Sequence, residues 1–428
     1  MPRHLHARHA LTAAASALVL CVSSAGCAAT SGEDGVTLRL VAADYEVAGD
    51  RSDSTERYWA DLIDAFESAH PGINVEVEIV SWDTIDRQVA DMVKDGKAPD
   101  MAQIASYAEF AERGELYPAE SLLSIPVQAN FLPPLAEAGE HQRTQYGMPF
   151  TASARLLFYN EKVFADAGID KPPATWGELK AAAQQLKSRT EVKYPVAVPL
   201  GPEEAQIEAM AWMLGGGGGY TAMNGSYEID SQANINSLNW VKENLVKAGL
   251  TGPVPPERLN RKDAYAAFVR GEVGMVNGHP SLLQLARDAG VKVGKVPVPG
   301  RGGEARSAPA MVDWIMAFRR NGHREETGKF LDFLFNDKNV REFAARNNLL
   351  PVTVSVTQQM EADNQYRELH EFLHELPTSV LPPVGKTSWA VVGDSTKRTI
   401  GGAMTAGGSP AQALRRIADD AFAAEQAP

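Results

Sequence analysis

The sequence predicts an α/β protein of two domains with mostly parallel sheets, and three observations carry that expectation. Short β-type runs alternate with amphipathic helical runs along the chain, the pattern of βαβ units. The 428 residues, 44% hydrophobic and 22% charged, suffice for more than one core and exclude a disordered or low-complexity chain. Both cysteines, Cys21 and Cys27, stand near the N-terminus, so no disulfide framework or multi-cysteine metal site staples the body.

The first 26 residues read as an address. Arg3, Arg8 and several histidines precede an apolar stretch over 10–22, which ends in Ser23, Ser24, Ala25 and Gly26, the layout of a secretory signal. The stretch is too short for a comfortable membrane span. Ser24, Ala25, Gly26 and Cys27 have the form of a bacterial lipobox, with Ser24 where Leu is usual. Cys27 is therefore the expected lipidation site, and its acyl chains the expected membrane anchor. Residues 27–35 are small and polar and read as the tether.

Folded structure is expected from Val36, with a strand over 36–41 and a polar loop carrying Asp44 and Tyr45. Trp59, Leu62, Ile63 and Phe66 follow at i, i+3, i+4 and i+7, one buried helical face that Pro71 and Gly72 terminate. Ile73, Val75, Val77 and Ile79 alternate with polar residues, as a strand requires. Ile85, Val89, Met92 and Val93 mark a helix ended by Gly96, and 101–105 a further strand. A second series starts with a strand over 155–159. Thr175 and Glu178 have capping-box spacing before Leu179. A strand over 193–200, a helix over 202–214 and the glycine run 215–219 come next. Helices are expected over 235–248 and 261–268, a strand over 274–276, extended chain over 291–299 and a strand over 314–318. The remainder reads as helical, broken at 350–351, 377–389 and 401–410.

Charge excludes one partner class. The net of -13 sets the whole-molecule field against phosphate backbones, so nucleic acid is not expected. Two motifs tempt. His370, Glu371 and His374 fit H-E-x-x-H, which in a zinc hydrolase would ligate the metal and activate water. Pro377 cuts the helix within a turn, and the competing reading is an amphipathic helix with Leu369, Phe372, Leu373 and Leu376 in the core. Gly385, Lys386 and Thr387 end like a P-loop, but Val380 stands where its first glycine belongs. The glycine run is either a flexible loop or a backbone that lets ligand approach closely.

The tryptophans divide by position. Trp59, Trp176 and Trp240 belong on buried faces. Trp82, Trp212, Trp314 and Trp389 stand at element ends, where ligands are met in open α/β sheets. Each of these four either meets the CH face of a sugar ring or packs at a rim between domains.

Taken together the chain resembles the extracellular solute-binding proteins, family 1, the sugar-binding lipoproteins of bacterial ABC importers, similar to maltose-binding protein. The resemblance rests on 66–75 (FESAHPGINV), 98–103 (APDMAQ), 146–150 (YGMPF), 157–164 (LFYNEKVF), 167–179 (AGIDKPPATWGEL), 267–277 (AFVRGEVGMVN) and the pair Ala413-Leu414. It implies a periplasmic-binding-protein-like fold of type II, two α/β lobes with a hinged ligand cleft. Lobe one is then 36–151 with 312–351, and lobe two 152–311 with 352–428. Crossings fall near 150–154, 307–312 and 350–354. The ligand-binding residues it implies are Asp44, Tyr45, Trp82, Gln103, Tyr107, Arg155, Trp212, Asn277 and Trp314, to which Trp389 is added from its place at an element end. Gly278-His279-Pro280 and Thr353 depart from the family pattern. The implied function is a monomeric, non-enzymatic receptor, without cofactor or metal, on the outer face of the bacterial cell membrane. It would deliver a disaccharide or short oligosaccharide to an ABC permease. A polyol phosphate or a polyamine is the alternative ligand.

Overall fold

The first βα unit forms as its periodicity dictates. A computed structural model describes residues 35–45, 53–82, 84–303, 305 and 307–426. The signal over 1–26 and the lipidation site Cys27 lie outside the described residues. Strand β1 (Val36–Ala43) pairs in parallel with β2 (Ile73–Val80) and β3 (Met101–Ile104). Between β1 and β2 the helix Asp53–Ala69 buries Trp59, Leu62, Ile63 and Phe66. Trp59 stacks on Phe150 at 5.7 Å, and Phe66 meets Phe330 edge-on at 5.1 Å. Aromatic pairs of this geometry add about 0.5–1.5 kcal/mol each beyond their area burial. Through Phe330 the helix Arg324–Leu334 is fastened to the first unit from far along the chain.

The stretch after β3 carries the helices Ala108–Glu112, Ile125–Asn130 and Pro133–Ala138 and a hairpin of β4 (Glu140–His141) and β5 (Thr144–Gln145). None is long enough to display a period, so sequence patterning is silent there. Gln142 and Arg143 turn the hairpin at φ 51° and 64°, the left-handed pair that matches strand twist.

Both sheets are mixed, which corrects the expectation of mostly parallel ones. The first runs β2-β1-β3-β11-β6, with β6 Met148–Ala154 and β11 Ala310–Ala317. Strand β11 is antiparallel to both neighbours because it returns from the other half of the molecule instead of through a helical crossover. The second sheet runs β10-β7-β9-β8, formed by β7 (Leu156–Asn160), β8 (Tyr194–Ala197), β9 (Val273–Gly278) and β10 (Val293–Val296). There β7 is antiparallel to β9 and β10, while β8 is parallel to β9.

Arg155 alone separates β6 from β7. Ala154 pairs with Ala310, Ala152 with Val312, and Leu350 bridges to Ala152 from the other side. Three distant segments therefore run side by side where one sheet gives way to the other.

In the second half the capping box forms: Thr175 Oγ1 accepts from Glu178 N at 3.1 Å, and Glu178 Oε2 from Thr175 N at 3.0 Å. The expected helix over 235–248 is instead Gln232–Val241 followed by a wider turn at Lys242–Val246. The glycine run packs tightly on that helix. A Cβ at Gly218 would stand 2.1 Å from Asn234 Oδ1, and Asn234 clasps both N and O of Gly219. Close approach of helix to loop, not of ligand to backbone, is what those glycines permit. Toward the C-terminus, helix Trp389–Thr399 packs on Pro410–Gln426 and Ala205–Gly215.

Candidate functional site: a cavity between the two sheets

A cavity of about 370 Å³ opens between the halves. The half built on the five-stranded sheet contributes Asp86, Ser106, Met311 and Trp314, and the other half Gln206, Ile207, Pro382, Trp389 and Lys397. Trp314 comes off β11 at a bulge between Asp313 and Trp314. Its ring lies edge-on to Tyr107 at 5.5 Å, and a Cβ at Gly147 would meet both rings, at 2.6 Å and 3.0 Å. Glycine at that position lets the two aromatics close over the chain. Trp389 starts its helix, edge-on to Tyr220 at 5.0 Å.

On the five-stranded side Tyr45 donates to Asp313 Oδ2 at 2.6 Å and accepts from Gln103 Nε2. Gln103 Oε1 in turn accepts from Ala43 N at 3.2 Å. The Tyr45 ring is boxed by Trp82 at 5.7 Å and Phe343 at 5.0 Å. Burial pushes the Asp313 carboxyl up to about 7, opposed by the bond from Tyr45 and assisted by the like charges of Asp86 and Glu204. Asp86, which accepts from Ala105 N at 3.0 Å, is also raised by burial, against that bond and the pull of Lys397 across the cavity.

On the four-stranded side charges are matched. Arg155, buried between β6 and β7, pairs with Glu204 at 2.8 Å, and Arg261 pairs with Glu204 at 2.9 Å and Glu203 at 2.7 Å. Glu208, buried one helical turn before Trp212, accepts from Trp212 Nε1 at 2.8 Å and Asn277 Nδ2 at 3.2 Å. Burial raises its carboxyl to about 7, with those bonds and Arg155 pulling it back. His279 is held well below the ordinary imidazole range by burial and by Arg155 and Arg261.

Three buried polar atoms around the cleft have no hydrogen-bond partner among the described residues: Trp314 Nε1, Gln206 Oε1 and Arg155 Nη1. An unpaired buried polar group costs about 1–3 kcal/mol, a cost that a partner reaching these atoms would remove.

Of the residues expected at the site, Trp314 and Trp389 line the cavity. Tyr45, Gln103 and Trp82 form one cluster behind its five-stranded wall, and Arg155, Asn277 and Trp212 belong to the charged network of the other. Trp212 packs with Trp176 at 5.9 Å and Trp240 at 6.3 Å and is absent from the lining. Tyr107 is fully buried, its hydroxyl donating to Ala138 O at 2.6 Å, and it supports Trp314. Asp44 directly follows β1, its N–H donating to Val80 O at 2.9 Å. Patterning missed Asp313, Asp86, Glu204, Gln206 and Glu208. Two of these carried a local signal: Asp313 adjoins Trp314, and Glu208 stands at i−4 from Trp212.

The H-E-x-x-H side chains are engaged elsewhere. Glu371 pairs with Lys295 at 2.7 Å, His370 Nε2 faces Met360 O at 3.1 Å, and His374 is 75% exposed. Phe372, Leu373 and Leu376 are buried, as the amphipathic reading requires. Among the described residues no group of three or more His, Cys, Asp or Glu could hold a metal ion, and no helix is long and apolar enough to cross a membrane.

Comparison with known proteins agrees with this architecture. The profile of a family described as bacterial extracellular solute-binding protein matches residues 52–341. A chain of Brucella abortus (strain 2308), named as a binding protein, is 26% identical over 400 residues, covering 92% of this chain and 95% of its own. The maltotriose-binding protein of Pyrococcus abyssi (strain GE5 / Orsay) is 24% identical over 301 residues, 68% of this chain and 63% of its own. Among solved structures, the GacH receptor of Streptomyces glaucescens GLA.O, studied unliganded and with acarbose, superposes with a TM-score of 0.77 at 18% identity, over 92% of this chain and 100% of its own.

Proposed function

Because the chain belongs to the bacterial extracellular solute-binding proteins, we propose that it captures a disaccharide or short oligosaccharide and delivers it to the transmembrane subunits of an ABC importer. The observation that carries this reading is the cavity between the sheets, with Trp314 Nε1 and Gln206 Oε1 buried and unpaired on opposite walls. Its volume of about 370 Å³ falls within the range of roughly 300–1,000 Å³ common for small-molecule sites. Trp314 and Trp389 offer flat apolar faces for the CH surface of a pyranose, and the buried carboxylates and Arg155 offer partners for hydroxyls.

Residues 36–151 with 312–351 form lobe one in this reading, and 152–311 with 352–428 lobe two. They close about the paired ends of β6 and β11, and ligand stabilises the closed state through contacts only that state makes. Acylated Cys27 holds the receptor, a monomer, at the outer face of the cell membrane. No reaction step is required of any residue. A phosphate-bearing polyol is disfavoured, since Asp86 and Asp313 would repel it.

The test is intrinsic tryptophan fluorescence of the purified protein titrated with a panel of sugars, before and after chelation of metals. A saturable change with one sugar class, unaffected by chelator, is expected. Silence across the panel would contradict the reading, and a response that needs metal would return attention to His370 and His374.

A further inference from the structure

The two halves touch beside the cavity, and a histidine makes the contact. In the β4–β5 hairpin His141 directs Nδ1 at the carbonyl oxygen of Gly385, 3.0 Å away, and Nε2 at Glu112 Oε2, 2.6 Å away. Gly385 belongs to the other half, between Pro382 and Val384, which line the cavity, and Trp389, which lines it and starts its helix. The hairpin backs the opposite wall, packed on the helix Ala108–Glu112. Tyr107, edge-on to Trp314, reaches Glu140 O with its hydroxyl at 3.0 Å. A Cβ at Gly385 would stand 2.6 Å from Glu140 O and 3.3 Å from that hydroxyl, so glycine is what lets the turn come this close.

Neither partner of the His141 ring donates. A carbonyl oxygen only accepts, and Glu112 Oε2 accepts a second time, from Gln142 Nε2 at 2.9 Å. A neutral imidazole has one N–H and one lone pair, so it serves one of these acceptors and turns a lone pair on the other. An imidazolium has an N–H on each nitrogen and serves both. The side chain is only 13% exposed, which leaves water little room to take either place. Among the charged groups of the packed elements, Glu112 alone bonds the ring. Glu109 pairs with Arg113 at 3.9 Å and Lys386 with Glu425 at 2.6 Å, Glu140 is half-buried beside His141 in β4, and Glu120 and Arg143 are exposed.

We propose that His141 is a proton-dependent latch, which as the imidazolium ties the hairpin to the Gly385 turn and holds the cavity closed. When one proton leaves, the remaining N–H stays with the Glu112 carboxylate, the stronger acceptor, and Gly385 O loses its donor. The halves are then free to part. The latch goes beyond the carbohydrate-receptor reading and acts on any occupant of the cavity, held more tightly in acid than in alkali.

Small-angle X-ray scattering of the purified, unliganded protein at about pH 5.5 and about pH 8.5, either side of the range in which histidine ordinarily titrates, tests this with two variants. Wild type should have the smaller radius of gyration at the acid pH. His141→Ala, which has no latch, should show the larger value at both. Glu112→Gln should show the smaller value at both, because its amide can donate to Nε2 and leave the neutral ring's N–H for Gly385 O. A merely structural role for the pair would not produce these opposite results. The Asp313 and Glu208 carboxyls change charge near 7 as well, and the drift they cause is common to all three proteins, so the differences between proteins decide. If circular dichroism shows His141→Ala unfolded, the contrast between wild type and Glu112→Gln decides alone. One radius for wild type at both pH values, or parallel drift in all the folded proteins, would overturn the latch. Calorimetry with maltose, maltotriose and cellobiose adds a second readout: affinity should fall in wild type by roughly threefold or more over the same rise in pH, the worth of one hydrogen bond, and by less in either variant. An equal fall in all three would overturn the latch. Binding of no sugar would overturn the carbohydrate reading, while the scattering still decides the latch.

Discussion

The two walls of the cleft solve the burial of acidic groups differently. On the four-stranded side three acids have fixed donors: Glu204 and Glu203 have arginines, and Glu208 has Trp212 and Asn277. On the five-stranded side, among the described residues, Asp313 accepts from the Tyr45 phenol and Asp86 from the backbone N–H groups of Ala105 and Ser106. The first wall matches these acids with fixed partners, although Gln206 Oε1 and Arg155 Nη1 beside them stay unpaired among the described residues, and the second leaves its acids without an ion-pair partner among the described residues. A receptor that must close on ligand and reopen needs such an asymmetry. Were both walls satisfied, ligand would add no differential stabilisation to the closed state.

The comparison can be broken from either side, and the largest effect is expected on the wall with ion pairs. Arg155→Met strips Glu204 of one partner and Glu208 of its nearest positive charge. It should cost about 3 kcal/mol in urea unfolding, since breaking a buried pair strands a charge. A cost under 1 kcal/mol would show that the ion pairs of Arg155 and Arg261 are not what holds this wall.

On the wall without them the sign reverses. The Asp313 carboxyl lies near 7 in the folded chain and about 4 when unfolded. Between those values the folded state keeps a proton that the unfolded state has lost, so this group's contribution to stability falls as pH rises from about 4 to 7 and is level above 7. Asp313→Asn removes the dependence. The variant should therefore match wild type near pH 4 and exceed it by on the order of 1 kcal/mol or more at pH 8. Parallel curves across that range would place the unmatched charge elsewhere.

Two smaller effects mark sites outside both walls. Gly218→Ala drives a Cβ into Asn234 and should destabilise by about 1–3 kcal/mol without altering sugar affinity. Replacing exposed His374 by Ala should change stability by less than about 0.5 kcal/mol, and zinc or chelator should leave the Tm unmoved.

How far the fold could be read from sequence follows from the range of the interactions involved. Trp59, Leu62, Ile63 and Phe66 declare a helix face because period 3.6 is local, and Thr175 with Glu178 declares a start because a capping box spans four residues. The antiparallel insertion of β11 between β3 and β6 was not legible, since it depends on partners some 160 to 210 residues away. The same holds at the site. Trp314 and Trp389 were found as aromatics at element ends, yet Trp212, equally placed, turns into a tryptophan cluster with Trp176 and Trp240. Asp313 and Glu204 escaped notice because what distinguishes them is the presence or absence of a distant basic partner.

The most direct test of the central claim, that the space between the sheets is where sugar is held, is the affinity of the best-bound sugar for four proteins measured by calorimetry. They are wild type, Trp314→Ala, Trp389→Ala and Trp240→Phe. The account predicts losses of tenfold or more, about 1.4 kcal/mol, for the two residues lining the cavity, and unchanged affinity for Trp240→Phe. Unchanged affinity in both cavity variants, or an equal loss in Trp240→Phe, would contradict it.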